Sequence, residues 1–367
     1  MKKLSFLVLL LSVGTNMAFA QAPKTRVAII GLDHDHVWGK ISNFTNAKYS
    51  RDAELVAIAD MHPELIEKAK QMLGPDFKYF TDYTEMLDEM KPDAVLVTTA
   101  NNLHLPILRA CAQRHIHFLT EKPMAQNGAD AREMDRLARE AGIKLVVNYP
   151  NAFQASTQEA YMRLKAGELG PIQKIIVEFG HRGPKEIGAS KEFNAWLYDP
   201  QKNGAGALMD FGCYGANWAL LVKGRPERVF AHSLKLKTAQ HNDVEDDAIV
   251  VLEYPDANAI LLPSWDWPYG KGQAEFFGPN GSLLVTGDKL LFHDKHDAPA
   301  DKPLGKTLET LPPLPEKADG TAYFLDCIRS SKPVEGPVSA AVNVGVNEII
   351  DAAIESIRTG KAVGLKP

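Results

Sequence analysis

Between residues 25 and 148 the sequence repeats one grammar. Short runs of β-branched and aliphatic residues fall at 27–31, 55–59, 94–97, 116–119 and 144–147, with helix-patterned stretches such as 63–73 and 129–141 between them. Strand and helix in alternation require crossover connections, which are right-handed and build a parallel sheet covered by helices on both faces. The chain is therefore expected to open with a doubly wound α/β domain of Rossmann type over about 25–148.

After Tyr149 the grammar changes. Strand composition returns at 172–179, 229–236, 247–252, 259–265, 274–277 and 283–285, with turn signals rather than helices between most of these runs. Helical patterns lie at 156–165 and 206–222, and a Pro-rich connector at 311–315 leads to two more at 322–329 and 340–358, the last stopped by Gly360. The prediction for 149–367 is an α+β domain with a large, mainly antiparallel sheet. Trp265 and Trp267 alternate at the end of one of its strands, so both should lie on one sheet face, and an interface is the favoured use of that face.

The N-terminus has the three parts of a secretory leader: Lys2 and Lys3, an apolar run at 4–13, and Ala18-Phe19-Ala20 as a cleavage signal. Residues 1–20 are expected to be removed after Ala20 on a general-secretion route, giving a periplasmic or extracellular product. No later stretch approaches the roughly 20 apolar residues of a spanning helix, so no membrane association is expected after cleavage. Removing Lys2 and Lys3 takes Lys+Arg from 41 to 39 against 46 Asp+Glu, a net charge of −7. Nucleic acid and anionic membrane are thereby excluded as partners. Cys111, Cys213 and Cys327 are odd in number and widely spaced, which implies neither a disulfide framework nor a metal knuckle.

The first strand runs into Gly31-Leu32-Asp33-His34-Asp35-His36, where a dinucleotide fingerprint of three glycines would fall; only the first glycine is present. Asp33 takes the position at which a bare backbone would approach pyrophosphate, and its carboxylate puts like charge there unless it turns away or is protonated. Asp60, at the end of the second strand, is placed to bind ribose hydroxyls and to repel a 2′-phosphate, which favours NAD over NADP. His34, Asp35 and His36 together invite a metal. The favoured alternative has His34 and His36 lining the pyrophosphate pocket as N–H donors, with no metal, since no second ligand cluster is spaced to complete a site.

Three further motifs carry a resemblance. Thr99-Ala100-Asn101-Asn102-Leu103-His104 follows the third strand, Glu121-Lys122-Pro123 the fourth, and Asp210-Phe211-Gly212-Cys213-Tyr214-Gly215-Ala216-Asn217 lies in the second domain. At these spacings, with 277–281 and 332–334 in support, the chain resembles the oxidoreductases named for glucose-fructose oxidoreductase, inositol dehydrogenase and the rhizopine-catabolism protein. The resemblance implies a nicotinamide cofactor held by Gly31, His34, His36, Asp60, Thr99, Asn101, His104, Glu121 and Lys122, a sugar-like substrate, and a homo-oligomer formed through the second domain's sheet. Family members place a histidine where this chain has Tyr214 and an aspartate where it has Asn217. This looks like the branches in which tyrosine stands at that point.

The residues themselves agree with an enzyme. A lysine near the positive nicotinamide and partly desolvated is expected to have a depressed pKa suited to moving a hydroxyl proton. Asp210 and Tyr214 lie one helical turn apart on one face, so Lys122, Asp210 and Tyr214 are the catalytic candidates. Tyr149, His181, Arg182 and Asn217 are the substrate-binding candidates, the first implied by the resemblance and His181 and Arg182 by a loop facing the cleft. The expected activity is hydride transfer between NAD and a sugar, sugar derivative or cyclitol. Two alternatives stay open: an enzyme that recycles bound NAD while cleaving a glycosidic bond, which suits a compartment without an NAD pool, and a non-enzymatic or metal-dependent carbohydrate-binding descendant of the fold.

Overall fold

The computed structural model describes residues 23–237, 243–295 and 305–365; the leader expected at 1–20 lies outside them. In the first domain, strands β1 (Thr25–Ile30), β2 (Ala53–Ala59), β3 (Tyr79–Phe80), β4 (Ala94–Val97), β5 (His117–Glu121) and β6 (Leu145–Asn148) form one parallel sheet in the order β3-β2-β1-β4-β5-β6. Helices α1 (His36–Thr45), α2 (Pro63–Leu73), α3 (Tyr83–Met90), α4 (His104–Ala112) and α5 (Gly128–Ala141) make the crossovers. Val27, Ala28, Ile29 and Ile30 are all buried, as are the four residues of β4, because helices cover both faces. The strand order reverses between β1 and β4, and the crevice beyond their carboxyl ends is where such sheets bind ligands.

The second domain carries α6 (Ala155–Lys165), β7 (Lys174–Gly180), α7 (Lys191–Leu197), α8 (Ala207–Lys223), β8 (Arg228–Leu234), β9 (Asp247–Glu253), β10 (Asn258–Ser264), β11 (Lys271–Gly278), β12 (Gly281–Thr286), β13 (Lys289–Asp294), β14 (Lys306–Leu308), α9 (Gly320–Arg329), α10 (Ala340–Thr359) and β15 (Val363–Gly364). Its strands pair in the order β14-β13-β12-β11-β7-β10-β9-β8-β15, antiparallel except where β7 meets β10. Burial alternates along β8, with Val229 and Ala231 inward and Phe230 and Leu234 outward, as expected of a sheet with helices on one face only.

The two domains are clamped by α10. It packs on α5 of the first domain and on α8 and β8 of the second. Its buried Asn347 donates to the Ala125 carbonyl at 2.6 Å, and Asp351 accepts from the Gly128 amide at 2.8 Å. Among the described residues no helix is long and apolar enough to cross a membrane, and the three cysteines are free and buried.

One expectation about the sheet fails. β10 ends at Ser264, so Trp265 is no longer in strand geometry; it is completely buried in a small apolar cluster with Ala100, Trp196, Leu197, Ala207 and Val244. An interface role for Trp265 is therefore ruled out by its own burial.

Candidate active site

The turn after β1 depends on Gly31. Its φ of +92° is open to glycine, and a Cβ there would lie 2.6 Å from the Thr98 carbonyl oxygen, so the chain can turn beside β4 only without a side chain. Asp60 fixes the turn: its Oδ2 accepts from the Leu32 amide at 2.5 Å, and its Oδ1 from the His62 amide and ring at 2.6 and 2.8 Å. Asp33 stands where the fingerprint has its second glycine. Burial and the neighbouring Asp60 push its carboxyl up to about 7, so a large share of it is uncharged near neutrality. Its Oδ1 is buried without a hydrogen-bond partner, an unmet polar atom within the turn. A tight glycine turn, the N-terminus of α1 and an acidic residue ending β2 fit a dinucleotide.

His34 is buried, and burial holds its imidazole well below the usual range, hence neutral. His36, Lys40 and Asn148 converge on Glu121 at 3.1, 3.0 and 2.8 Å. Burial alone would raise the Glu121 carboxyl, but Lys40 and the imidazoles override it and hold it well below the carboxylate range. The ligand atoms of His34, His36 and Glu121 lie within 4.8 Å of one another, a spacing a metal ion can use, yet Lys40 already balances the one carboxylate of the group.

A segment that sequence reasoning passed over lies across this crevice. Residues 190–206, from the second domain, bridge three loops of the first. The Ser190 amide donates to Asp35 Oδ2 at 2.9 Å, and Trp196 Nε1 to the Asp33 carbonyl at 3.3 Å. Asn101 Nδ2 donates to Asn203 Oδ1 at 2.6 Å, the Asn102 amide to the Lys202 carbonyl at 3.0 Å, and Gln126 Nε2 to the Gln201 carbonyl at 2.7 Å. The His34 ring sits 4.5 Å from that of Phe193 and 5.7 Å from that of Trp196. The only signal of this strap in the sequence was an aromatic pair at i, i+3 in a short helix, which by itself reads as core.

The strap leads directly into α8, whose first turns bring Asp210 to Lys122. Lys122 Nζ donates to the Asp210 carbonyl at 3.0 Å and to its Oδ1, while Trp265 Nε1 donates to Oδ2 at 2.9 Å. The expected depressed lysine is not found. Burial does lower the Lys122 ammonium, but the buried Asp210 carboxylate more than offsets it and raises the group above its ordinary value. Burial likewise raises Asp210, and Lys122 reverses the sign, leaving it below the carboxylate range. Both partners are therefore charged at neutral pH. An ammonium has three N–H donors, and two are used by Asp210.

Tyr214 lies beside this pair, with Lys122 Nζ 5.3 Å from its ring centroid. The ring is stacked on Phe179 at 4.6 Å and meets Tyr149 edge-on at 5.3 Å. Burial raises the Tyr214 phenol, so it stays protonated. Tyr214, Tyr149 and Asn217 line a cavity of about 570 Å³ between α6, α8, α9 and residues 332–338. His181 lies on the Lys122 side of α8, its ring 4.9 Å from that of Phe211, which is itself 5.7 Å from Lys122 Nζ, and its Nδ1 accepts from the Gly183 amide. Arg182 is exposed and does not line this cavity. His104 is fully buried, its ring nitrogens 3.1 Å from the Met124 carbonyl and 3.3 Å from that of Thr99, so it ties two loops together from behind the crevice. Thr99 and Asn101 are buried at the crevice edge, Asn101 as a holder of the strap.

A parallel sheet with a glycine turn at its switch point, facing a lysine–carboxylate pair supplied across the domain boundary, defines a two-domain dinucleotide-dependent oxidoreductase. The comparisons with known proteins make this specific. Residues 25–149 match the family described as oxidoreductase family, NAD-binding Rossmann fold, and residues 157–284 match the GFO/IDH/MocA C-terminal domain. The chain belongs to this family and is an NAD(P)-dependent oxidoreductase acting on CH–OH groups. The non-enzymatic alternative is set aside accordingly. It is similar to D-xylose 1-dehydrogenase (NADP(+)) 2 of Haloferax volcanii, 27% identical over 87% of this chain and 94% of that protein. It is also similar to D-glucoside 3-dehydrogenase of Escherichia coli, 29% identical over 65% of this chain and 69% of that one. The solved structure of levoglucosan dehydrogenase in complex with NADH and levoglucosan shares the fold, with a TM-score of 0.77 over 93% of this chain and 99% of that one at 21% identity.

Proposed function

We propose that the protein transfers hydride between NAD and a carbon bearing a hydroxyl on a sugar, sugar derivative or cyclitol. The observation that carries this is the Lys122–Asp210 pair, joined across the domain boundary and set beside Tyr214. Gly31, Asp60 and the N-terminus of α1 hold the dinucleotide, with Asp60 disfavouring a 2′-phosphate. Bound NAD supplies the hydride acceptor, or NADH the donor. Lys122, kept protonated by Asp210, has one N–H left for the substrate oxygen and gives its proton to that oxygen as a carbonyl is reduced; the oxidative direction runs the same groups in reverse. Tyr214 donates a second hydrogen bond to this oxygen, and Asp210 orients the lysine. Two relatives named for xylose and glucoside dehydrogenation support the substrate class.

A second reading draws on the strap. A cofactor covered by residues 190–206 is retained through turnover, and an enzyme that recycles retained NAD while eliminating a neighbouring glycosidic bond suits export through the leader at 1–20. The same proposal includes a homo-oligomer through the open sheet face, where Phe230, Leu234 and Ile249 are 40, 45 and 47% exposed. Incubating the mature protein with NAD and a panel of hexoses, pentoses and cyclitols tests the main reading. Stoichiometric NADH supports net oxidation, and product without net NADH supports recycling. No binding of NAD at millimolar concentration overturns both.

A further inference from the structure

We infer that His34, His36 and Glu121 hold a first-row divalent ion of the Zn²⁺ kind, shared with the diphosphate of the bound dinucleotide; the inference rests on the dinucleotide site proposed above. Two imidazoles and a carboxylate suit such an ion, and three protein ligands leave a position open for an outside oxygen. The histidines have no third ligand nearby in the sequence. The fold supplies one 85 residues on, where β5 ends beside the start of α1. The three ligand atoms lie within 4.8 Å of one another, with His36 Nδ1 and Glu121 Oε2 already 3.1 Å apart. Neighbouring ligands on one Zn²⁺ are about 3.3 Å apart, so His34 has to close in by roughly 1–1.5 Å.

The ligands are in suitable states. Burial keeps His34 neutral, with one lone pair to give, and Glu121 is ionised. His34 Nδ1 accepts from the His36 amide at 3.2 Å, a long bond that an ion replaces. The amide so released is the first of α1, where helix N–H groups attract an anion. Lys40 and Asn148 both bond Oε1 of Glu121, which orients the carboxylate from behind and leaves Oε2 for the ion.

Charge brings in the dinucleotide. Lys40 already neutralises Glu121, so an ion adds two positive charges that these ligands do not balance, and a diphosphate adds two negative ones. The diphosphate also meets Asp33 and His36 where the fingerprint's second and third glycines would stand, so side chains keep it from backbone that glycines would expose. An ion on the two imidazoles and Glu121 makes up for that lost contact.

The mature protein, stripped with a chelator, is titrated with Co²⁺, whose visible absorbance reports its ligands, with and without saturating NAD. Co²⁺ should bind, be displaced by Zn²⁺, and bind about ten-fold more tightly with NAD present; by reciprocity NAD should bind about ten-fold more tightly in Zn²⁺ than in chelator. Adenosine, which lacks the diphosphate, should show no such gain. His36→Ala alters an exposed side chain and spares the core, and it should cost at least ten-fold in Co²⁺ affinity and abolish the gain; His34→Ala, at the buried ligand, should do the same. Absence of a Co²⁺ spectrum, exclusion of NAD by the ion, or a gain that survives His36→Ala overturns the inference and leaves the dehydrogenase reading standing. Equal NAD affinity in Zn²⁺ and in chelator, weakened alike by His36→Ala, also overturns it and makes the histidines plain N–H donors to the diphosphate. No NAD binding under any condition overturns the dinucleotide reading itself, and the sharing falls with it.

Discussion

Glu121 and Lys122 are neighbours at the end of β5, and they look in opposite directions. Glu121 turns into its own domain, where Lys40, His36 and Asn148 surround it. Lys122 reaches across the boundary to Asp210, which Trp265 holds from behind. Both sites contain a buried carboxylate paired with an ammonium, yet one pair belongs to a single domain and the other exists only when two domains are docked. On the proposed mechanism, the difference separates structural from catalytic electrostatics. An intradomain pair fixes the strand end on which the lysine stands, whereas an interdomain pair makes the protonation state of the lysine depend on closure.

The sharpest way to break this distinction is to remove each ammonium while keeping its volume. Lys122→Met should lower kcat/KM by about a thousand-fold, the range for loss of a general acid–base group with its buried partner left unpaired. Lys40→Met should lower the melting temperature, because buried Glu121 then keeps only His36 and Asn148, but kcat/KM per folded molecule should fall far less. Equal losses of activity in the two variants, measured by steady-state kinetics beside thermal melts, would remove the distinction. The pH dependence follows from the directions of the shifts. Lys122 is raised, so its contribution to stability is complete below the ordinary lysine value near 10.4 and fades as pH rises through the higher folded value. Asp210 and Glu121 are lowered, so theirs are complete above the ordinary carboxylate values near 4 and fade as pH falls through the folded ones.

The second test isolates the support of Asp210. Trp265→Phe keeps an aromatic ring in the buried cluster and deletes the N–H that reaches Oδ2. A hydrogen bond to a charged acceptor is worth about 1.5–3 kcal/mol, so kcat/KM should drop by about ten- to a hundred-fold. A loss below two-fold would mean that Lys122 alone positions the carboxylate.

Much of this was legible in the sequence for definite reasons. The parallel sheet was visible because strands buried on both faces read as unbroken apolar runs, and Val27 to Ile30 form such a run. Lys122, Asp210 and Tyr214 could be singled out because their motifs resemble those of a known family, and the structure brings the three side chains together. What could not be read was long-range pairing. Nothing local to Lys122 says that a carboxylate 88 residues away will hold its proton, so the pKa expectation had the wrong sign. Nor does alternation of Trp265 and Trp267 reveal that the strand stops at Ser264 and turns the first indole inward to Asp210. The strap was hidden for the same reason, since its hydrogen bonds join residues 190–203 to loops near residues 33, 101 and 126.

The strap supplies the third test, which asks whether closure also governs the cofactor. Trp196→Ala removes the indole that lies 5.7 Å from the His34 ring and donates to the Asp33 carbonyl. Dissociation of NADH, followed by stopped-flow fluorescence, should quicken about ten-fold, the effect of losing roughly 1.4 kcal/mol of contact. An unchanged rate would mean that the strap docks the domains without retaining the nucleotide.

The smallest effect concerns Asp33, the residue that departs most from the dinucleotide fingerprint. Its carboxyl is raised to about 7 by burial and by Asp60, while His62, paired with Asp60, opposes the rise. A raised acid contributes its stability below the unfolded value near 3.9 and loses it as pH climbs through the folded value, so the wild-type chain should lose stability between about pH 4 and 7 on this account. The same ionisation adds negative charge beside the diphosphate, so NAD affinity should weaken a few-fold from pH 6 to 8. Asp33→Asn keeps the shape and cannot ionise. Its melting temperature should be flatter across the lower window, and its NAD affinity by calorimetric titration flatter across the upper one. Parallel profiles for the two proteins would show that Asp33 stays ionised beside Asp60, and that the turn after β1 tolerates two charges where the usual fingerprint has a glycine and one.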